Sequence, residues 1–205
     1  MSLTDLHTHR ADAPDAILSL PPERVEPFLV SNSAAVVSTG VHPWSTSDDV
    51  NLGLLERVAA IPQVVAIGET GLDRLRGASL ERQSEIFKRH IELSEELHKP
   101  LVIHCVRAWS ELLAMRRALR PSMPWAVHGF RGGPELAKQL LDHGLWLSLG
   151  SRYNTATALI IPDDRLLVET DEDTPPVEGT IAALTSLRGH VPPVADNLAA
   201  YLKNR

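Results

Sequence analysis

The sequence predicts an α/β protein folded as a shortened TIM-like (β/α)8 barrel. Three observations predict it. Eight short apolar runs alternate along the chain with longer amphipathic stretches, the pattern of a parallel sheet covered by helices. Eight strand–helix units are the number that closes a barrel. Histidines and carboxylates recur at the C-terminal ends of those runs, where barrels of this kind build their sites. A distorted barrel of seven strands is the alternative that pattern alone leaves open.

Taken in order, the first run is Ser2–His9. Arg10–Pro14 is too short for a helix, and Asp15–Leu20 reads as the second strand, stopped by Pro21-Pro22. Pro22–Ser33 is expected to be at most a ragged turn of helix. Neither of the first two connections then holds a full crossover helix, which predicts a barrel lacking one or two outer helices on its N-terminal side. Ala34–His42 is the third strand, β-branched at Val36, Val37 and Val41. Asp48–Ile61 reads as a helix, with Leu52, Leu55, Val58 and Ala59 at helical spacing. Val64–Gly68 is a strand ending at Glu69, and Leu80–Lys99 a helix closed by Pro100. Leu101–His104 is a strand followed by a helix near Trp109–Leu119. Trp125–His128 is a strand followed by the helix Pro134–His143, with Gly144 as its C-cap. Leu145–Leu149 and Leu166–Glu169 are the last strands, and the chain from about Thr180 is helical with a break at Pro192-Pro193.

Composition narrows the class. A chain of 205 residues, 43% hydrophobic and 22% charged, suits one globular domain spanning 1–205, at the short end for such a barrel. Cys105 is the one cysteine, so no intrachain disulfide forms and a reducing, cytoplasmic setting is expected. No apolar run approaches the length of a membrane helix, and the N-terminus lacks a basic stretch followed by an apolar one. The net charge of −6 argues against non-specific duplex binding. It does not argue against a phosphate ester, because bound divalent ions dominate the field of their own site.

The residues closing the strands carry the chemistry. On an extended strand Asp5, His7 and His9 project to one side, and a carboxylate with two imidazoles suits zinc, manganese or a similar divalent ion. The third strand ends at His42, the fourth at Glu69, the fifth at His104, the sixth at His128 and the eighth at Glu169-Thr170-Asp171. Five of the nine histidines thus fall at strand ends; His90, His98, His143 and His190 lie on helices or helix ends, where surface or capping roles suffice. A metal-dependent hydrolase is the direct reading. His42 precedes Pro43, so it either fixes a turn or stands near the phosphate rather than on a metal. Asp73 and Glu169 brace loops or neighbouring ligands. Arg107 and Arg131 lie just beyond strand ends, where a guanidinium either grips phosphate or forms a surface ion pair. Cys105 follows His104 and should point away from the ligand face. Trp44 and Trp109 at the mouth either stack a base or cover the site.

Six motifs in succession resemble those of TatD-type metal-dependent deoxyribonucleases. They are Asp5-x-His7-x-His9, Gly40-Val-His42-Pro-Trp44, Ala66-Ile-Gly68-Glu69-Thr-Gly71-Leu-Asp73, Ile103-His104, His128-Gly-Phe130-Arg131-Gly132 and Leu167-Val-Glu169-Thr-Asp171. The resemblance runs from Asp5 to about Asp173, on a chain shorter than typical members. It implies an amidohydrolase-like barrel that cleaves phosphodiester bonds, as a deoxyribonuclease on single-stranded DNA or strand ends, with two divalent ions (Zn, Mg, Mn or Co). His7, His9 and Asp171 would hold one ion, His104 and His128 the second, and Glu69 would bridge them. Asp171 and Glu69 would be catalytic, Asp171 doubling as proton acceptor for a water activated by the two ions. His42, Arg107 and Arg131 would meet the phosphate, with Asp5, Asp73 and Glu169 orienting the ligands from behind. The implied partner is nucleic acid or another phosphodiester, with no membrane and no obligate protein partner.

Three rivals are weighed. The polymerase-and-histidinol-phosphatase type of phosphoesterase, acting on a small phosphate ester, shares the Asp-Leu-His-Thr-His opening. It closes with an Asp-x-His pair, whereas here the last strand ends Glu169-Thr170-Asp171-Glu172-Asp173. Deacetylase- or deaminase-type amidohydrolases often bridge their metals with a modified lysine, and the bridging position here is Glu69. A non-catalytic metal-binding barrel is disfavoured by the presence of all six ligand positions.

Overall fold

The structure, a computed structural model, describes residues 3–46, 49–173 and 175–203. Eight strands pair in sequence order and close on themselves, all parallel: β1 (Asp5–Thr8), β2 (Ala16–Leu20), β3 (Val37–Thr39), β4 (Val64–Asp73), β5 (Leu101–Val106), β6 (Trp125–Val127), β7 (Trp146–Leu149) and β8 (Leu166–Val168). Asp5 opposite Val168 joins the last strand to the first. The barrel therefore has eight strands and not seven. Its strands are buried on both faces, which is why they read as apolar runs.

Outside them lie α1 (Pro22–Ser31), α2 (Leu52–Ala59), α3 (Leu80–Leu97), α4 (Trp109–Leu119), α5 (Pro134–Asp142), α6 (Thr155–Ile160), α7 (Val177–Arg188) and α8 (Val194–Lys203). Only the β1–β2 connection lacks a helix, so one outer helix is missing. The stretch expected to be a ragged turn is the ten-residue helix α1. Proline at the first helical position forfeits no hydrogen bond and presets φ, and Val25 and Leu29, one turn apart, bury the inner face despite Pro27. The helix expected from Asp48 begins later, at Leu52, capped by Asn51, whose side chain accepts the Leu54 N–H at 2.9 Å; Asp48 lies outside the described residues, as does Ser2 of the first run. A further helix, the six-residue α6, lies between β7 and β8. Gly144, just past α5, takes the left-handed conformation (φ +77°), as a chain leaving a helix requires.

Two packing layers follow. The larger core lies between strands and helices and includes Phe87, Leu112, Trp125, Leu140 and Leu184. A second cluster fills the barrel itself: Leu6, Ile17, Ala66, Val102, Ala126 and Leu167 come from six different strands. Leu198 and Tyr201 of α8 join this cluster from one end. Tyr201 Oη donates to the carbonyl of Leu101 at 2.6 Å, and the Asn197 amide donates to that of Leu166 at 2.8 Å. Leu101 and Leu166 begin their strands, so α8 plugs the N-terminal end of the barrel. The C-terminal end is left for the site.

Candidate metal centre

At that end six side chains gather around Glu69. Its Oε2 lies 3.4 Å from His7 Nε2 and 3.3 Å from His9 Nε2, and those nitrogens are 3.3 Å apart. Asp171 Oδ1 stands 3.8 and 3.7 Å from the same two nitrogens. Oε1 of Glu69 faces a separate set: His128 Nε2 at 2.8 Å, His104 Nδ1 at 2.9 Å and His42 Nε2 at 3.0 Å. The two carboxylate oxygens thus serve two donor groups. Asp73 and Glu169 stand behind the second set.

The backbone enforces this convergence. Glu69 lies between Gly68 and Gly71, both at φ +141°. A Cβ on Gly71 would stand 2.1 Å from the His104 carbonyl oxygen, and one on Gly68 would stand 2.3 Å from that of Val102. Only glycine lets β4 approach β5 so closely here. Across the barrel, Asp171 N–H donates to the His7 carbonyl at 2.9 Å, and His9 N–H donates to the Asp171 carbonyl at 3.0 Å. Asp171 holds φ +55°, an uncommon backbone state for a residue with a Cβ. The first and last strands thereby hold their side chains in fixed register.

The orienting residues are more specific than strand alternation suggested. The Asp5 carboxylate does not point at the donors. It accepts from the backbone N–H of His7 (3.1 Å) and Thr170 (3.2 Å) and from Thr170 Oγ1 (2.7 Å). The β1 ladder shifts register between Asp5 and Thr8, so strict alternation does not carry through it. Burial pushes the Asp5 carboxyl up to about 7. Asp73 Oδ2 contacts His104 Nε2 at 3.3 Å and accepts Trp44 Nε1–H at 2.6 Å. Glu169 Oε1 contacts His128 Nδ1 at 3.3 Å and accepts the Gly129 N–H at 2.6 Å. Carboxylates behind ligating imidazoles fix ring orientation in just this manner.

His42 differs from the other imidazoles. Its Nδ1 accepts the Trp44 backbone N–H at 3.1 Å. The neutral ring then carries its proton on Nε2, the atom facing Glu69, and is a donor there rather than a lone pair for a metal.

The donor set fits divalent ions. The 2.8–3.4 Å spacings match donors about 2.0–2.1 Å from a shared ion, whose neighbouring corners lie roughly 2.8–3.4 Å apart; Asp171 Oδ1 stands farther off, 3.8 and 3.7 Å from His7 and His9. Burial works against a charged Glu69, but His128 and the hydrogen bonds from His104, His128 and His42 outweigh it and hold the carboxyl well below the usual range. Burial likewise opposes protonation of His128, yet the fields of Glu69 and Glu169 drive it well above its ordinary value. The hydrogen bond to Glu69 raises His9, against its burial. A pocket that draws protons onto its imidazoles is one that positive ions would satisfy. The groups able to hold an ion include His7–His9–Glu69, His7–His128–Asp171 and His42–Glu69–His104; with its proton on Nε2, His42 offers no lone pair to the last.

These donors floor a cavity of about 610 Å³ that extends along Ser19–Glu23 and Asp49–Asn51. Trp44 lines it; Arg107, Arg131 and Trp109 do not. Arg107 and Arg131 are exposed, and Trp109 packs edge-on against Phe130 at 5.9 Å. Cys105 is buried in the outer core, and burial pushes its thiol up to about 12. His98 and His143 end helices, and exposed His190 pairs with Asp163. His90 is not a surface or capping residue. It is fully buried on α3, donates from Nδ1 to the Ile86 carbonyl (2.8 Å) and accepts the Val41 N–H at Nε2 (2.9 Å), next to His42. A lone histidine on a helix gives no local sign of such a partner.

The sequence pattern of the family described as TatD related DNase matches residues 28–199. The chain belongs to this family. Among TatD-related relatives, the "Uncharacterized metal-dependent hydrolase YcfH" of Escherichia coli (strain K12) is 39% identical over 145 residues, covering 66% of this chain and 55% of the relative. The "3'-5' ssDNA/RNA exonuclease TatD" of Erwinia billingiae is 38% identical over 146 residues, covering 65% of this chain and 56% of the relative. The chain spans about half the length of the curated relatives it matches. The TatD barrel is also recognisable in solved structures. A TatD family hydrolase from Entamoeba histolytica superposes with a TM-score of 0.78 at 16% identity, covering 100% of this chain and 96% of that one. The TatD homologue YJJV of Escherichia coli K12 gives 0.77 at 22% identity, covering 98% and 95%. At such identities the likeness is one of fold. Among the described residues, no helix is long and apolar enough to cross a membrane.

Proposed function

We propose that this single barrel domain is a metal-dependent phosphodiesterase acting on single-stranded nucleic acid. The observation that carries the reading is Glu69, whose two oxygens face two separate donor groups. His7, His9, Asp171 and Glu69 Oε2 would hold one divalent ion, and His104, His128 and Glu69 Oε1 a second. Bound ions would supply positive charge to the phosphate and lower the pKa of a water.

The chain's own residues do the rest. Asp171, about one third exposed toward the cavity, accepts the proton lost by the attacking water. His42, with its proton on Nε2, donates a hydrogen bond to a non-bridging phosphate oxygen, where charge builds in the transition state. Asp73 and Glu169 keep the His104 and His128 rings from rotating as substrate enters. The relatives named for 3'-5' exonuclease action on single-stranded DNA and RNA support nucleic acid as the substrate, and the cytoplasm suits a protein whose one cysteine is buried.

The test joins metal content to turnover. Protein loaded with Mn, Zn, Mg or Co should hydrolyse bis(p-nitrophenyl) phosphate and single-stranded DNA. Glu69→Gln should lose both the activity and more than half of the bound metal. Absence of hydrolysis with every ion, or metal content below about one ion per chain and unchanged by Glu69→Gln, overturns the reading.

A further inference from the structure

Resting on the phosphodiesterase reading, we infer that the arm of the cavity between β2–α1 and the segment before α2 receives one uncharged nucleoside. The same arm rejects a nucleoside that carries a further phosphate. The shape comes first. The cavity's volume of about 610 Å³ is that of a small-molecule site, typically about 300–1,000 Å³. It leads from the metal donors to a wall of Leu20, Pro21, Pro22, Val41 and Val50. Trp44 lines the same space. It is 49% exposed, pinned through Nε1–H to Asp73, with the Arg76 guanidinium 4.5 Å from the ring centroid. An exposed indole held rigid beside an apolar wall is a stacking platform for a flat base.

The charge is the discriminating feature. Glu23 and Asp49 are exposed on the wall of this arm and Glu172 is exposed beside Asp171 at the donors, and no lysine or arginine lines the cavity among the described residues. The N-terminus of α1 opens here, yet it offers no anion cradle. Pro22 has no N–H, the Arg24 N–H is bonded to the Pro21 carbonyl at 3.0 Å, and Glu23 puts a carboxylate in the first turn. The phosphate at the metal donors is therefore the only one this side of the site accommodates. A second phosphate one nucleoside further on would meet carboxylates within a Debye length, about 8 Å at physiological salt.

The experiment compares thymidine dinucleotides hydrolysed by the metal-loaded enzyme: unmodified, 5'-phosphorylated and 3'-phosphorylated. A phosphate on one end, the end held in the arm, should lower kcat/KM at least tenfold, while a phosphate on the other end should change it less than threefold. The double variant Glu23→Gln, Asp49→Asn should shrink that ratio several-fold. Independently of turnover, free thymidine should quench tryptophan emission in the wild type and much less in Trp44→Phe. Equal tolerance of both phosphates, or a ratio the charge variant does not move, overturns the proposal. If bis(p-nitrophenyl) phosphate is not hydrolysed with any ion, the phosphodiesterase reading fails, and thymidine quenching alone then decides whether the arm binds a nucleoside.

Discussion

His90 makes the protein sensitive to acid through a buried group that is not itself one of the metal donors. Burial drags its imidazole down from 6.5 to about 4, against the favourable bond to the Ile86 carbonyl. Its tautomer is fixed, since Nδ1 donates to Ile86 and Nε2 accepts from Val41; a second proton would break the Val41 bond and leave a charge in a dry core. The unfolded chain takes that proton near 6.5 and the folded chain only near 4. Stability from this group is therefore complete above pH 6.5, falls as pH drops towards 4, and falls no further below that. The difference amounts to about 3 kcal/mol. Urea unfolding of wild type and His90→Gln between pH 7 and 4, with chelator present so that both lack metal, isolates it. Gln offers an oxygen to the Val41 N–H and has nothing to titrate. At pH 7 the variant should be the less stable by about 1 kcal/mol, for the lost Ile86 bond and imperfect fill. By pH 4 it should be the more stable by about 2 kcal/mol. Parallel pH profiles for the two proteins would refute the reasoning.

Three further outcomes follow from the packing. Gly71→Ala should lower stability by about 2–3 kcal/mol and release metal, since its Cβ would collide with the His104 carbonyl at an unfavourable φ; calorimetry and metal analysis read both. Asp171→Asn and Asp171→Ala should both abolish turnover, but only alanine should add about 1 kcal/mol of backbone strain at φ +55°, visible as a lower urea midpoint with chelator present. Tyr201→Phe should cost about 1 kcal/mol for its bond to Leu101. It should leave kcat unchanged, because α8 closes the end opposite the site.

The barrel and the imidazoles and carboxylates that close its strands were legible for one physical reason. Strands buried on both faces are almost wholly apolar, so an imidazole or carboxylate that closes one stands out, as His104 does after Leu101-Val-Ile and His128 after Trp125-Ala-Val. The misreadings have physical reasons too. The double proline before α1 and Pro27 within it looked like breakers, yet the first helical position tolerates proline and Val25 and Leu29 suffice as an inner face. His90 was invisible because its partner, Val41, is 49 residues away. Alternation alone would put Asp5 on the ligand face, but the register shift in β1 interrupts it, and Asp5 stands behind that face as the motif resemblance implies. The arm of the cavity had no sequence signature, because Leu20, at the end of β2, meets Val41 and Val50, both in the connection between β3 and α2, only when that connection folds over the end of the barrel.

Charge links the donors to the arm. Taken as direct ligands with neutral imidazoles, Glu69 and Asp171 carry two negative charges, and two divalent ions would leave the centre with two positive charges. One phosphodiester and the hydroxide that attacks it supply two negative charges and bring the balance to zero. The centre thus attracts one phosphate strongly and has nothing left for the next. A chain of net charge −6 that places Glu23, Asp49 and Glu172 around its cavity opposes a further phosphate within that cavity. On the two-ion reading affinity would depend on the bound ions and fall steeply when they are removed. Selectivity depends on how little charge accompanies the nucleoside beside them, so added salt should weaken the discrimination against a second phosphate by screening the carboxylates. The attraction of the first phosphate, held at short range in a half-buried site, should change far less.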